Sequence, residues 1–385
     1  MTDGGGDPRG IEAPPRAAVV VAFHGRAEKT LAALESLLAQ RFGPDGDEAF
    51  EVVLVDDGSP DDTAARVAAR LERRNAAKDG AKDGGRDAAR AQLVRLPRNL
   101  GANAARNRGV AATTAPLVAF LDSDCRAEPH WLETLVRVFD DPTVGAASGR
   151  VEDTASENAW ELAFRGTHRL PRRGPVSRLV IGNLCVRRAL LAGGLDESRP
   201  TRLDPATGRP DPAISARSDE EDLNLAIRAA GWKVVAEPDA LAWHDHPYTR
   251  RSLLRQAWFG GQSAAELVWR HRLGPRKDLG PIALAWLALA AALAAMPWTG
   301  PVALAAPALL ALLPIAAISY NELRNKGKRP LELVRAAPAL LLYYHWRLAG
   351  YLVRRAQLVG RRRPARAGAG RHALPAPPAA RGATA

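Results

Sequence analysis

The chain has 385 residues, enough for one large or two medium domains with a packed core. Its net charge of +12 suggests a polyanionic partner, yet residues 321–385 hold fourteen Lys/Arg and two Glu, which accounts for all of it. No helix-turn-helix, finger or RNA-binding motif accompanies that charge, so a basic tail behind apolar segments points to an anionic membrane surface and not to nucleic acid. Two cysteines, Cys125 and Cys185, exclude a disulfide framework or a zinc cluster and fit a reducing compartment.

Residues 1–16 are Gly/Pro-rich and acidic, lack the order of a secretory signal and are expected to be disordered. Ala17 to Phe23 is an apolar strand, and Glu28 to Gln40 a helix with Leu31, Leu34, Leu37 and Leu38 on one face. Glu51 to Val55 is a second strand, Thr63 to Arg74 a second helix, and Asn75 to Arg90 reads as a flexible insertion. Gln92 to Leu96, Gly101 to Ala112 and Leu117 to Leu121 continue as strand, helix and strand. Such alternation builds a mostly parallel sheet flanked by helices, an α/β fold. Beyond residue 145 come strands at Val144 to Val151 and Leu179 to Arg187, then a long Pro/Arg/Asp-rich loop over Arg199 to Ser218. A helix over Asp222 to Ala230 stops at Gly231, and Trp232 to Ala236 and Ala240 to His244 read as two short strands.

The last third differs in kind. Ile282 to Met296 and Val302 to Ser319 carry no charge, and Pro297 to Pro301 would turn between them. The second run would be ~27 Å long as a helix, close to the ~30 Å hydrocarbon core. Residues 281–320 are therefore expected to form a transmembrane hairpin, the alternative being a buried Ala/Leu helical pair. Arg276-Lys277 before it and Lys326 to Arg329 after it put both ends on the cytoplasmic face by the positive-inside rule. Residues 321–385 would be a basic interfacial helix, or a poor third span at Leu331 to Val353, followed by a disordered tail from Arg361.

Chemistry is concentrated at strand ends. Asp122-Ser123-Asp124 follows the buried strand Leu117 to Leu121, which delivers two carboxylates to the carboxyl edge of the sheet, where ligands of open α/β sheets bind. Carboxylates one residue apart can share a divalent cation, and the cation can hold a diphosphate. Asp56-Asp57-Gly58-Ser59 ends another strand, where a carboxylate can accept from a base N–H or from ribose hydroxyls, or simply cap a turn. Asn99 to Arg106 sets a Gly-containing turn before a helix and offers one Arg to phosphate or ribose. Asp219-Glu220-Glu221-Asp222 opens the helix that ends at Gly231-Trp232; it can supply a general base or merely suit the helix dipole. Trp243-His244-Asp245-His246 closes a further strand, where a neutral imidazole can complete a metal shell.

These segments, with Val19 to Gly25, occur in an order that resembles the family 2 glycosyltransferases of GT-A fold over roughly residues 17–260, which implies a catalytic domain over residues 17–270. The resemblance implies a nucleotide-diphosphate sugar bound by Phe23, Asp56, Asp57, Asn99, Arg106 and Asp122, and Mn²⁺ or Mg²⁺ bound by Asp122, Asp124 and His244, with His246 as the alternative. It further implies inverting transfer to an acceptor hydroxyl. The family pattern Glu-Asp-x-Asp-Leu is inverted here to Asp219-Glu220-x-Asp222-Leu223, which puts the base on Glu220 beside Asp219; a slipped register would use Glu221. Ile181 to Arg188 and Gly193 to Glu197 would shape the acceptor side. Arg255-Gln256-Ala257-Trp258 only partly echoes the Gln-x-x-Arg-Trp of processive members, so single-sugar transfer is expected. Charge and apolar tail favour a lipid-linked or cell-envelope acceptor at the cytoplasmic face of the membrane. The rival readings are a nucleotidyltransferase, for which Phe23-His24-Gly25-Arg26 is a poor phosphate loop, and a degenerate nucleotide-binding membrane module.

Overall fold

The computed structural model describes residues 15–43, 45, 48–79, 89–154, 158–165, 172–176, 179–195, 197, 219–245, 248–274, 279–299, 312–361 and 374–378. The expectations for residues 1–14, for most of the Asn75 to Arg90 insertion, for the 199–218 loop, for His246 and for residues 300–311 lie outside that set.

The first half alternates β1 (Ala17–Phe23), α1 (Ala27–Leu38), β2 (Phe50–Asp56), α2 (Thr63–Asp79), β3 (Ala89–Arg95), α3 (Ala102–Ala111) and β4 (Leu117–Leu121). Then come β5 (Cys125–Ala127), α4 (Trp131–Arg137), β6 (Val144–Asp153), α5 (Ala159–Phe164), β7 (Gly174–Pro175), β8 (Asn183–Arg187), α6 (Asp219–Ala229) and β9 (Lys233–His244). All the strands join one mixed sheet in the order β3-β2-β1-β4-β8-β6-β9-β5, with β7 also on β9. Strands β1 to β4 are parallel; β8 runs antiparallel to both β4 and β6, and β6 is parallel to β9. The carboxyl ends of β1, β2, β4, β6 and β9 therefore share one edge, the edge that collects ligands in such sheets.

Burial on both faces explains the continuous apolar runs. Val19, Val21, Leu117 and Ala119 face one core with Leu34, Leu37, Val67 and Trp131; Val20, Val118 and Phe120 face the other with Ala105 and Ile227. Two sequence expectations change here. Helix α2 continues to Asp79, because Ala76, Ala77 and Lys78 are strong helix formers with no breaker among them. The two short strands expected around Pro238 are one strand, β9. Its register against β6 slips between Gly149/Glu237 and Arg150/Leu241, and the irregularity accommodates the proline. The Arg150 Nε donates to the Pro238 carbonyl at 3.0 Å, which satisfies the displaced backbone.

The C-terminal helices are α7 (Arg250–His271), α8 (Gly280–Thr299), α9 (Leu312–Tyr320) and α10 (Pro330–Gln357). A π-helical turn, Asn321–Asn325, follows α9. Its Glu322 is buried but satisfied by Lys328 at 2.5 Å, Lys326 at 2.7 Å and the Tyr344 hydroxyl at 3.1 Å, which ties the turn to α10. Helices α7 and α10 meet backbone to backbone: a Cβ on Gly261 would stand 2.0 Å from the Arg347 carbonyl oxygen, and one on Gly350 2.2 Å from that of Trp258. Helix α8 runs through Pro297 to Thr299, so the expected turn does not begin at Pro297; a proline in a last turn forfeits one hydrogen bond without ending an Ala/Leu-rich helix. Among the described residues α8 is the one helix long and apolar enough to cross a membrane, and only 11% of its apolar window is buried. Leu331, Val334, Leu341, Leu342, Trp346 and Val353 form an exposed apolar stripe along α10.

Within the tail expected to be disordered, residues 374–378 are described and docked. Leu374 to Pro378 lies against the second face of the sheet, where the Pro375 carbonyl accepts from Trp232 Nε1 at 2.6 Å and Leu374 packs on the core. Proline fixes φ in advance, so a Pro-rich segment loses little entropy on docking.

Candidate active site

Asp122 and Asp124 follow β4 at the ligand edge. Arg106, brought there by α3, donates to Asp122 Oδ1 at 3.0 Å and also reaches Asn103. Asp122 is packed from below by Gly182: a Cβ on that glycine would lie 2.5 Å from Asp122 Oδ2. The glycine precedes Asn183, whose side chain is buried and holds Trp131 Nε1, the Arg150 carbonyl and the Ala240 carbonyl, so four elements fix this floor.

Two of the three expected metal ligands, Asp124 and His244, meet here, while the Asp122 carboxylate pairs with Arg106. Asp124 Oδ1 stands 3.8 Å from His244 Nε2, and its Oδ2 accepts from Arg26 at 2.9 Å. His244 Nδ1 is 3.0 Å from Asp153 Oδ1, which assigns that nitrogen to the carboxylate and aims Nε2 at Asp124. Burial alone would lower the His244 pKa, but the Asp153 hydrogen bond and the charges of Asp124, Asp153 and Asp122 outweigh it and raise the value. A carboxylate and an imidazole nitrogen, the latter oriented by a second carboxylate, suit Mn²⁺ or Mg²⁺ in donor type. Among the described residues no three His, Cys, Asp or Glu side chains already form a closed ligand cluster. Asp124 and His244 are thus two donor groups that could share a cation with further ligands from outside the chain. Cys125, next in sequence, is buried and its thiol is pushed well up by that burial and by Asp122 and Asp124, so it offers no thiolate.

Two residues here were not read from the sequence as site residues. Asp153 ends β6 and meets His244 only because β6 and β9 pair in that register. Arg26 follows Gly25 in the left-handed region at φ 62°, an unusual conformation for a non-glycine residue, and so turns its guanidinium toward Asp124. Its position just past the first parallel strand was the available signal.

The expected nucleotide contacts divide. Asp57 is buried, and its two oxygens accept from the Leu100 and Gly101 amides at 2.7 and 2.9 Å. Desolvation raises its pKa against the pull of those amides. It holds the turn before α3 in place, with Asn99 Oδ1 accepting from the same Gly101 amide. Asp56 accepts from the Ser59 amide at 2.9 Å, with Arg95 at 3.8 Å. Phe23 is 2% exposed and its ring belongs to the core, because residues 17, 19, 21 and 23 of β1 share one face; its backbone lies at the edge, the carbonyl accepting from the Asp57 amide.

Helix α6 starts at Asp219, so Asp219 and Glu220 stand in its first turn; their side chains lie outside the described set. Glu221 accepts from Asn224 at 3.3 Å. Asp222 is held by His271 Nε2 at 2.5 Å, with Arg270 at 3.7 Å, which locks α6 to the end of α7.

Residues 18–189 match the family model described as Glycosyl transferase family 2. The pre-mycofactocin glycosyltransferase of Mycobacterium tuberculosis is 31% identical over 209 residues, which cover 50% of this chain and 40% of that protein. The succinoglycan biosynthesis protein ExoO of Rhizobium meliloti is 34% identical over 134 residues, 35% of this chain and 32% of that protein. This chain thus spans about two fifths or less of the length of these relatives. A solved structure, the mannosyltransferase PcManGT from Pyrobaculum calidifontis in complex with GDP-Man and Mn²⁺, aligns over 90% of this chain and 87% of that one, with a TM-score of 0.49 and 21% identity. The family match runs from β1 through β8, across both carboxylate-bearing strand ends, so residues 18–189 are a family 2 glycosyltransferase region set in one mixed α/β sheet.

Proposed function

We propose that this chain is an inverting, metal-dependent glycosyltransferase that moves a sugar from a nucleotide-diphosphate donor to a hydroxyl of a lipid-linked or cell-envelope acceptor, at the cytoplasmic face of the membrane. The observation that carries the reading is the meeting of Asp124 and His244 at 3.8 Å, with Asp153 behind the imidazole. A divalent cation bound there supplies positive charge to a departing diphosphate.

The chain's own residues have separable tasks. Asp153 keeps His244 Nδ1 engaged, so Nε2 remains the ligating atom. Arg106 keeps Asp122 oriented, and Gly182 leaves room for that carboxylate. Asp57 fixes the turn before α3, whose amide-rich start faces the donor. Glu220, in the first turn of α6, takes the proton of the acceptor hydroxyl. As it does so, the acceptor oxygen bonds to the anomeric carbon from the face opposite the diphosphate. The bond from that carbon to the diphosphate oxygen breaks with its electron pair, and the configuration inverts. Exposed apolar residues on α8 and α10 and the basic tail support a site held at a membrane surface.

The test is product analysis with the full chain, Mn²⁺ and a panel of sugar nucleotides. Release of nucleoside diphosphate that depends on Asp124 and falls by roughly 10² or more in Glu220→Gln is expected. Release of pyrophosphate, or undiminished turnover in Glu220→Gln, would sink the assignment.

A further inference from the structure

A groove of about 790 Å³ opens on the C-terminal helices, away from the carboxylates of the catalytic edge. It is lined by Arg250, Arg251 and Arg255 from the first two turns of α7, by Trp258 and Phe259 from the next turn, and by Trp346 from α10. These α7 positions recur at three- and four-residue intervals, so they share one helix face. From Arg250 to Trp258 the lining changes from cationic to aromatic over ~12 Å, at ~1.5 Å per residue.

Both ends of this gradient are built for a ligand. The three arginines are exposed, and among the described residues none of them forms an ion pair with a carboxylate. Glu266, the one acid of α7, is engaged with Arg270 and Arg354, and Asp222 of α6 with His271 and Arg270. The α7 N-terminus adds its own positive end. Guanidinium groups grip phosphate oxygens bidentately, so a cluster of three at a helix start fits a mono- or diphosphate. At the other end Trp258 and Trp346 stand 5.8 Å apart at 47°, with the Arg255 guanidinium 6.0 Å above the Phe259 ring. Beyond Trp346, which is 47% exposed, the surface continues as the apolar stripe of α10. Trp286 of α8, also exposed, meets His345 there edge-on at 5.9 Å. Free phosphate has no use for that apolar continuation. A nucleic acid would use the rings but not the aliphatic stripe.

We propose that this groove binds a phosphorylated lipid, its phosphate on Arg250, Arg251 and Arg255 and the start of its chain across Trp258, Phe259 and Trp346. Resting on the proposed transferase reading, the groove holds the lipid-linked acceptor, its arginine end formed by the first turns of α7, the helix that follows β9 and His244 in sequence. The occupant class follows from charge complementarity at one end and exposed apolar surface at the other.

The experiment is a fluorescence titration of the full chain, purified in a non-ionic detergent and without donor, with farnesyl phosphate. Farnesol, inorganic phosphate and a short single-stranded oligonucleotide serve as separate arms. Farnesyl phosphate is expected to change tryptophan emission saturably, with farnesol and inorganic phosphate at least about tenfold weaker. The Arg251→Ala/Arg255→Ala double variant is expected to weaken it about tenfold or more. Trp346→Ala should lower both affinity and signal while the unfolding midpoints of the variants stay near the parent's. Equal binding by parent and double variant overturns the inference, as does inorganic phosphate or the oligonucleotide matching farnesyl phosphate. Donor cleavage on the same preparation reports the catalytic edge separately: its absence beside Arg-dependent farnesyl phosphate binding overturns the transferase reading and leaves the groove standing.

Discussion

Removing Asp153 tests the catalytic edge without touching an expected ligand of the metal. The Asp153 and His244 side chains are only 15% and 13% exposed, and their 3.0 Å contact fixes which imidazole nitrogen faces Asp124. Losing such a partner behind a metal-bound histidine costs about 10–100-fold in metal affinity, equivalent to ~1.4–2.8 kcal/mol at ~1.4 kcal/mol per tenfold. Asp153→Ala should therefore weaken Mn²⁺ binding by that amount, measured by calorimetry at saturating nucleoside diphosphate. Asp153→Asn should fall between, since its amide oxygen still accepts from Nδ1 but without the charge. Asp124→Asn, which removes the carboxylate facing Nε2, should lose more than either. If Asp153→Ala binds Mn²⁺ within about threefold of the parent, well under the expected loss, while Asp124→Asn loses it, then His244 is not a ligand held by Asp153.

Gly182→Ala places a methyl 2.5 Å from Asp122 Oδ2 at a position whose backbone requires no glycine, so the carboxylate should yield and not the fold. Donor turnover should drop about tenfold or more, as expected for a misplaced catalytic group, with little change in melting temperature; unchanged turnover would show that Asp122 tolerates displacement. His244 has a raised pKa, so in the metal-free protein the stabilisation from its charged form is complete below its unfolded value near 6.5 and is lost as pH rises through the folded value. Melting curves of the metal-free parent should decline across that window and those of His244→Asn should not, whereas added Mn²⁺, which needs the neutral ring, should stabilise more as pH rises. Deleting residues 362–385 removes the Pro375 carbonyl from Trp232 and uncovers the face where Leu374 packs. A loss of about 1 kcal/mol in urea unfolding is expected, and an unchanged midpoint would mean that the docked segment contributes nothing to the fold.

What the sequence disclosed follows from where burial writes a local pattern. Strand β4 was read with its observed ends because it is buried on both faces and Asp122 interrupts an unbroken apolar run. Strand β9 was divided in two because Pro238-Asp239 reads locally as a turn; only the sheet, through the slip against β6, can absorb it. Asp153 carried no local signal at all. It sits in a polar stretch, Arg150-Val151-Glu152-Asp153, and acquires a role from a partner ninety-one residues away. Phe23 shows the converse: it stands beside the edge in sequence, but strand alternation turns its ring into the core and leaves only its backbone at the edge.

The same distinction sharpens the two aspartate pairs. Asp56-Asp57 and Asp122-x-Asp124 look alike in sequence, each an acidic pair after a parallel strand. In space the first pair is spent on backbone amides, at Ser59, Leu100 and Gly101, and so builds the wall of the site. The second pair is held by side-chain cations, the largely buried Arg106 on Asp122 and the exposed Arg26 on Asp124, of which Arg26 can rotate away. Backbone ties are permanent parts of the fold, whereas a solvent-reaching ion pair is worth only ~1 kcal/mol or less. Arg26, 53% exposed at its side chain, can leave Asp124 at little cost, so under the proposed function Asp124, and not Asp56 or Asp57, would be the carboxylate to meet a cation.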